Sequence, residues 1–293
     1  MIELFTLTSI LYALLGGVLT YLVVTGLILL RNKHALRPIR NYIDIKATNA
    51  QTDLPSISVL IPARNEEATI RQCVESVLQQ SRRPDEVMVL DDQSTDATPS
   101  ILNDIQNRDS LLTVHTGSDT PESWLGKTWA CHQLSESASG DILLFLDADV
   151  WLEQDALAAI GNAFQAEQVD LVTVWPEQQL KSLGERVIIP LVYFALVTLL
   201  PIQYGHRKPR WMPLWLYTKM APLFAAACGQ CMAFKRGAYQ AIGGHKSVRD
   251  EIVEDVALAK RMRSKGYSIR LFEGVHSIHC RMYTNTEEIR EGF

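Results

Sequence analysis

The sequence predicts an α/β protein built on a mainly parallel sheet with helices on both faces. Three observations lead there. Apolar runs of strand length recur through 56–176 and alternate with segments of helical period. These runs lack the polar alternation of a half-solvated strand, so both faces of the sheet must be covered. The first, second and fourth end in polar, acidic clusters, where a parallel sheet presents its ligand-binding rim. A chain of 293 residues, 47% of them apolar, can fill the core this requires.

The chain opens with an uncharged run at 4–30, long enough for a bilayer core of about 30 Å. It is too long for the apolar region of a signal peptide, and no basic segment precedes it. A transmembrane anchor over 1–30 is expected, with a buried soluble helix as the alternative. Glu3 precedes the run; Arg31, Lys33, Arg37, Arg40 and Lys46 follow it. The positive-inside rule then puts the N-terminus outside and the remainder in the cytoplasm, at a plasma or inner membrane. Residues 31–54 are polar and mixed, and read as a juxtamembrane linker to a domain over 55–293.

SISVLIPA (56–63) is the first strand, followed by a helical pattern over 66–79. EVMVLDD (86–92) is the second, with a helix over about 96–108. LLTVHT (111–116) is the third, with a helix after Lys127. DILLFLDAD (141–149) is the fourth, with a helix over 153–166, and VDLVTVWP (169–176) is the fifth. Strands alternating with helices in this way make a parallel sheet.

Composition removes several classes. A net charge of −5 argues against a nucleic-acid binder. Five scattered cysteines are no disulfide framework. Cys228 and Cys231 form a CxxC, which His279 and Cys280 might complete as a metal site. Buried strand cysteines are the simpler reading. No G-x-G-x-x-G follows the first strand and no P-loop motif occurs, against dinucleotide oxidoreductases and P-loop NTPases.

The polar clusters carry the chemistry. The first strand ends in Pro62-Ala63-Arg64-Asn65-Glu66, the second in Asp91-Asp92-Gln93-Ser94-Thr95-Asp96, the fourth in Asp147-Ala148-Asp149. Helix capping explains Ser94 and Asp96. It does not explain so many carboxylates on one rim, which repel unless cations intervene. A divalent metal with a polyphosphate answers this, and oxygen ligands suit Mn²⁺ or Mg²⁺.

In this order, PARNEE, DDQSTDAT, FLDADV and IVEDVALAKRMRSKGY resemble family 2 glycosyltransferases of the GT-A fold, whose sheet is Rossmann-like. The resemblance covers about 55–290 at the level of pattern. SWLGKTWAC (123–131), CGQCMAFKR (228–236) and RMY (281–283) look most like membrane enzymes that glycosylate lipids. The hopanoid-associated and carotenoid glycosyltransferases are nearest, and ceramide glucosyltransferase is more distant. The resemblance implies that Pro62, Ala63, Arg64 and Glu66 border the nucleotide, and that Asp91 or Asp92 binds uracil or ribose. Asp147, Ala148 and Asp149 form the DxD, with Asp149 and Asp147 on the metal. Lys127 lies near the donor phosphates. Glu254-Asp255 is the ED motif, with Asp255 as general base; its alternative is a charge on a helix N-terminus. One base with no second nucleophile implies inversion. The processive Q-x-x-R-W is replaced by His279-Cys280-Arg281-Met282-Tyr283, which favours transfer of one sugar; Arg281 either stands in for the motif's arginine or is a surface charge. Relatives of this kind usually continue into further transmembrane helices. The chain ends at 291–293, as a truncated, shortened or compact member would.

A second uncharged run, 187–205, has Arg186 before it and His206, Arg207, Lys208 and Arg210 after it. A single crossing would separate Asp149 from Asp255. Pro190 and Pro201 bend helices, and Trp211, Trp215 and Tyr217 suit an interface. Residues 183–222 are therefore expected to lie as one or two helices in the cytoplasmic leaflet, with a buried core helix as the alternative. The expected activity is a membrane-anchored, metal-dependent, inverting transfer of one sugar from a UDP-sugar to a lipid or isoprenoid acceptor. Alternatives are a polyprenyl-phosphate glycosyltransferase and an inert nucleotide-sugar-binding membrane protein.

Overall fold

The computed structural model describes residues 2–44 and 55–282, with side chains from residue 8 onward. Lys46, the rest of the expected linker and Tyr283 of RMY lie outside the described residues. Helix α1 spans Ile2–Ala35. Over Thr8–Ala35 its mean hydropathy is 2.3, and it is the one described helix long and apolar enough to cross a membrane. Its side chains point outward, with Leu14, Leu19 and Leu22 more than half exposed.

The main sheet forms from β1 (Ile57–Ala63), β2 (Glu86–Asp91), β3 (Leu112–Thr116), β4 (Ile142–Leu146), β6 (Leu171–Trp175), β8 (Cys231–Lys235) and β9 (Ile269–Glu273). The order is β3-β2-β1-β4-β8-β6-β9. Every pairing is parallel except those of β8, which runs antiparallel between β4 and β6. A smaller sheet joins β5 (Val150–Leu152), β10 (Ile278–Cys280) and β7 (Glu177–Gln178).

Alternation within each apolar strand explains why the runs are continuous. Ile142, Leu144 and Leu146 face one core with helices α2 (Ile70–Leu78), α3 (Thr98–Gln106) and α5 (Ala156–Glu167). Leu143 and Phe145 face a second core with α4 (Gly126–Ser137), α9 (Arg236–Ala241) and α10 (Glu254–Ser264). The expected two-faced parallel sheet is present. Two boundaries differ from the sequence reading. The fourth strand stops at Leu146 rather than running to residue 149. The Val150 N–H turns back onto the Asp147 carbonyl at 3.1 Å, so the acidic triplet is a corner. The first helix starts at Ile70 rather than 66, because Glu66 accepts the Thr69 hydroxyl and turns the chain first.

The segment after α1 is not free chain where it is described. A 3-10 turn at Ile39–Tyr42 buries Ile39 and Tyr42 in the core beside Phe272, and Pro38 bridges to Glu273. The polar composition of 31–54 hides these two apolar anchors.

The insertion folds as α6 (Leu183–Leu199), α7 (Gln203–His206), α8 (Leu214–Met220) and a 3-10 turn. Ser182 caps α6, α6 contains Pro190, and it stops before Pro201. One side, with Ile189, Tyr193, Leu196 and Val197, packs inward. Leu183, Val187, Leu191 and Phe194 recur at helical spacing on the other side and are more than half exposed. Fully buried Asn32, at the end of α1, donates to the carbonyls of Val197 at 2.7 Å and Leu200 at 2.6 Å. It thereby clamps the anchor to α6. Asn32→Leu leaves those carbonyls without this donor and should cost about 1–3 kcal/mol. Thermal unfolding in detergent, with faster proteolysis near residues 200–210, checks this.

Candidate active site

The carboxyl ends of β1, β2 and β4 converge on one cavity of about 300 Å³. Pro62, Ala63, Arg64 and Glu66 line it from β1 and its following turn. Asp92 lines it from β2, Asp147, Ala148 and Asp149 from the corner after β4, and Lys127 from the first turn of α4. Of the residues expected around the donor, only Asp91 faces away from this cavity. Its Oδ1 accepts the Ser94 N–H at 3.1 Å, so it shapes the loop instead. The turns are cross-tied: Ser94 accepts the Asn65 N–H at 2.9 Å, and Asp96 accepts from Glu67 and Thr98.

Lys127 answers the repulsion on the rim. Its Nζ lies 2.8 Å from Asp147 Oδ1 and 3.0 Å from Oδ2, and 3.2 Å from Glu254 Oε1. Desolvation pulls its pKa down, but the charges of Asp147 and Glu254 outweigh that and hold it well above the usual lysine value. Arg64 plays a looser part, 3.7 Å from Asp92.

Asp149 has no such partner. Its Oδ2 accepts the Cys280 thiol at 3.4 Å, while its buried Oδ1 has no hydrogen-bond partner. Burial first, and the Asp147 charge second, push Asp149 up to about 7. Burial, then Asp147, also raises Glu66, against the pull of the Thr69 hydroxyl. An orphaned carboxylate oxygen beside a second carboxylate suits a hard divalent cation. Among the described residues no group of three or more His, Cys, Asp and Glu side chains could hold a metal. Such a cation would therefore need oxygens from a ligand as well.

The ED pair stands across Lys127 from the DxD. Asp255 Oδ2 accepts the Gly229 N–H at 2.8 Å, and Oδ1 accepts the Val256 N–H at 2.7 Å. A Cβ at Gly229 would stand in ordinary contact with both Asp255 and Glu254, which places this backbone directly against the pair. Burial raises both Glu254 and Asp255 above the usual carboxylate range, with Lys127 and the N–H donors opposing it. Asp255 thus also has the capping contacts of the alternative reading.

Beyond Lys127 and Asp147 a larger cleft of about 550 Å³ opens between the ED pair and the insertion. Glu254, Asp255 and Gln230 stand at its polar end; Ile189, Tyr193, Leu196 and Leu223 make its apolar wall. Asp149 and Asp255 thus belong to adjoining cavities.

Sequence reading missed a polar chain behind the site. Gln178 donates to the Tyr193 hydroxyl at 3.2 Å and to Gln230 Oε1 at 3.0 Å. Gln230 Nε2 donates to Cys280 Sγ at 2.9 Å, and Cys280 donates to Asp149. The signal was faint: a glutamine inside CGQC and a cysteine in a three-residue strand. Cys231 and Cys280 are buried in strands, as expected, but Cys228 is half-buried and precedes β8, against that reading; all five cysteines are free. Arg281 is half-buried with an unpartnered Nε, not a surface charge.

Residues 58–243, more than half of the chain, match Glycosyl transferase family 2. The chain belongs to this family. Residues 202–287 of this family 2 chain also match Glycosyl transferase family 21. A 4,4'-diaponeurosporenoate glycosyltransferase of Staphylococcus aureus is 28% identical over 252 residues, covering 85% of the family 2 chain and 62% of that relative. The chain therefore spans less than two thirds of the relative it matches. A mannosyltransferase, PcManGT from Pyrobaculum calidifontis, solved with GDP-Man and Mn2+, superposes with a TM-score of 0.60 at 20% identity, over 91% of this chain and 66% of that one. S. aureus TarS 1-349 with UDP-GlcNAc gives 0.51 at 16% identity, over 80% and 60%. These likenesses establish the GT-A fold that the motifs suggested.

Asp149 generates a pH prediction. A carboxyl raised to about 7 in the fold, against about 3.9 unfolded, makes the native state bind the extra proton between those values. Metal-free stability then falls as pH rises through that window. In EDTA, Asp149→Asn should unfold at the wild-type temperature near about pH 4.5 and several degrees higher near about pH 8. Thermal scans at both pH values check it.

Proposed function

We propose that the chain transfers one sugar from a nucleotide sugar, UDP-linked by expectation, to a lipid or isoprenoid acceptor, with inversion. The observation that carries this is the two-part cleft: a carboxylate-rich cavity at the strand ends, joined at Lys127 and Asp147 to an apolar cleft that ends on Glu254 and Asp255. The diaponeurosporenoate relative supports an acceptor of that kind, and the GDP-Man and UDP-GlcNAc complexes of the structural neighbours support a nucleotide-sugar donor.

In this reading Pro62, Ala63, Arg64, Glu66 and Asp92 surround the nucleoside. Asp149, with Asp147, would hold Mn²⁺ or Mg²⁺, which when bound would supply charge stabilisation for the departing diphosphate. Lys127, held between Asp147 and Glu254, adds a fixed positive charge beside the same oxygens. Asp255 takes the proton of the acceptor hydroxyl. Its raised pKa makes it a better proton acceptor than a solvated aspartate, and the Gly229 N–H holds its orientation. The apolar wall of α6 keeps water from competing as the nucleophile. A phosphate nucleophile of the polyprenyl kind would face Glu254 and Asp255 directly, which disfavours that alternative. The exposed stripe of α6, with Trp211 and Trp215, would rest on the bilayer surface beside the α1 anchor, and the acceptor would enter along it from the cytoplasmic leaflet.

Two measurements test this. UDP should raise the unfolding temperature with Mn²⁺ but little in EDTA, and Asp149→Asn should erase the difference. Equal stabilisation without metal would remove the metal from the proposal. Asp255→Asn should keep that nucleotide response while transfer to lipid extract, followed by mass spectrometry, falls by about 10²–10⁴. Normal turnover in this variant would exclude Asp255 as the base.

A further inference from the structure

A polar cavity of about 720 Å³ lies away from the candidate active site, among the last turn of α1, α7 and β9. Arg31, Arg37, Arg207, Lys208, Arg210 and Arg270 line it, against the single carboxylate of Glu167. That carboxylate is already engaged: Arg37 lies 3.4 Å away, and Arg270 and the Tyr42 hydroxyl also contact it. Arg31 and Lys208 reach only neutral oxygens, those of Tyr204 and of Pro209 and Met212. Arg207 and Arg210 form no ion pair among the described residues and are exposed. Arg270 is only 7% exposed, and its buried Nε has no acceptor. His206 on the same wall is pushed down to about 4, by burial first and then by Arg270, and adds no charge. In a chain of net charge −5, six cationic side chains are concentrated here around the one carboxylate of Glu167.

The chemistry calls for an oxyanion with several acceptor oxygens, since guanidinium groups pair with phosphate in forks. The position selects its source. The cavity opens at the basic end of the one described helix long enough to span a bilayer. Trp211, Leu214 and Trp215 stand exposed just beyond Arg210, as side chains at a headgroup boundary do. We propose that this cavity binds the phosphate of an anionic phospholipid and so fixes the height of the catalytic domain against the membrane. Inorganic phosphate shares the chemistry but not the location. The proposal does not depend on the sugar-transfer reading.

The test uses the full chain in neutral detergent, titrated with phosphatidylglycerol, phosphatidylcholine or inorganic phosphate. Phosphatidylglycerol should bind and raise the unfolding temperature, and the other two should not. The variant Arg207→Gln/Lys208→Gln/Arg210→Gln changes exposed side chains and should fold normally. Its phosphatidylglycerol affinity should drop about fivefold per cation removed. Arg83→Gln/Arg108→Gln/Lys265→Gln, with the same charge change away from the cavity, should bind as wild type. Undiminished affinity in the first variant, or equal binding of phosphatidylcholine, overturns the proposal. Equal stabilisation by inorganic phosphate, lost in the first variant, overturns the lipid assignment in favour of a soluble phosphate ligand.

Discussion

The ammonium of Lys127, set between Asp147 and Glu254, is the contact on which the cleft depends. It joins the corner after β4 to the start of α10, segments more than a hundred residues apart in the chain. Parallel strands bring their carboxyl ends to one rim, and that rim carries acid from three of them. Without a cation these groups would repel or take up protons. With one, Asp147 and Glu254 are drawn to a shared ammonium, and the two halves of the cleft share a wall. Asp149 is left as the group with an unfilled oxygen, which is where a divalent ion and its ligand oxygens would relieve the same repulsion.

Apolar surface is arranged around that polar centre with a direction. The inward side of α6 builds one wall of the larger cleft, and its outward side is an exposed apolar stripe. Asn32 ties this helix to α1, so the long apolar N-terminal helix is bonded directly to one wall of the cleft. A chain from half-buried Tyr193 and Gln178 through buried Gln230 and Cys280 then runs from the apolar wall to Asp149. Hydrogen bonds at its buried end are directional and hard to exchange. Burial, and then the Asp149 charge, keep the Cys280 thiol above its usual range, hence protonated and able to donate.

Much of this was legible before any fold was seen. The strands at 56–63, 86–92 and 169–176 were readable because side chains in a two-faced parallel sheet are apolar on both sides. The DxD and ED residues were readable because charge rarely follows such runs without a reason. The choice between Asp91 and Asp92 was not readable. Adjacent residues at a strand end point to opposite sides, and only the strand's register decides which one meets the cavity. The docking of Ile39 and Tyr42 was equally hidden, since two apolar residues in a polar segment have no period to betray them.

By itself the sequence determined the α/β class, the long apolar N-terminal helix and the rim of carboxylates, all local patterns of hydrophobicity and charge; the division of the insertion into three helices and a 3-10 turn was left open. Only the tertiary structure decided which groups meet. It inserted β8 antiparallel between β4 and β6, set Gln230 against Cys280, and placed Lys127 between Asp147 and Glu254. It also gathered Arg31, Arg207 and Arg270 around one cavity. Those contacts join segments far apart in the chain. Their energies depend on distance and burial, which no window of sequence contains.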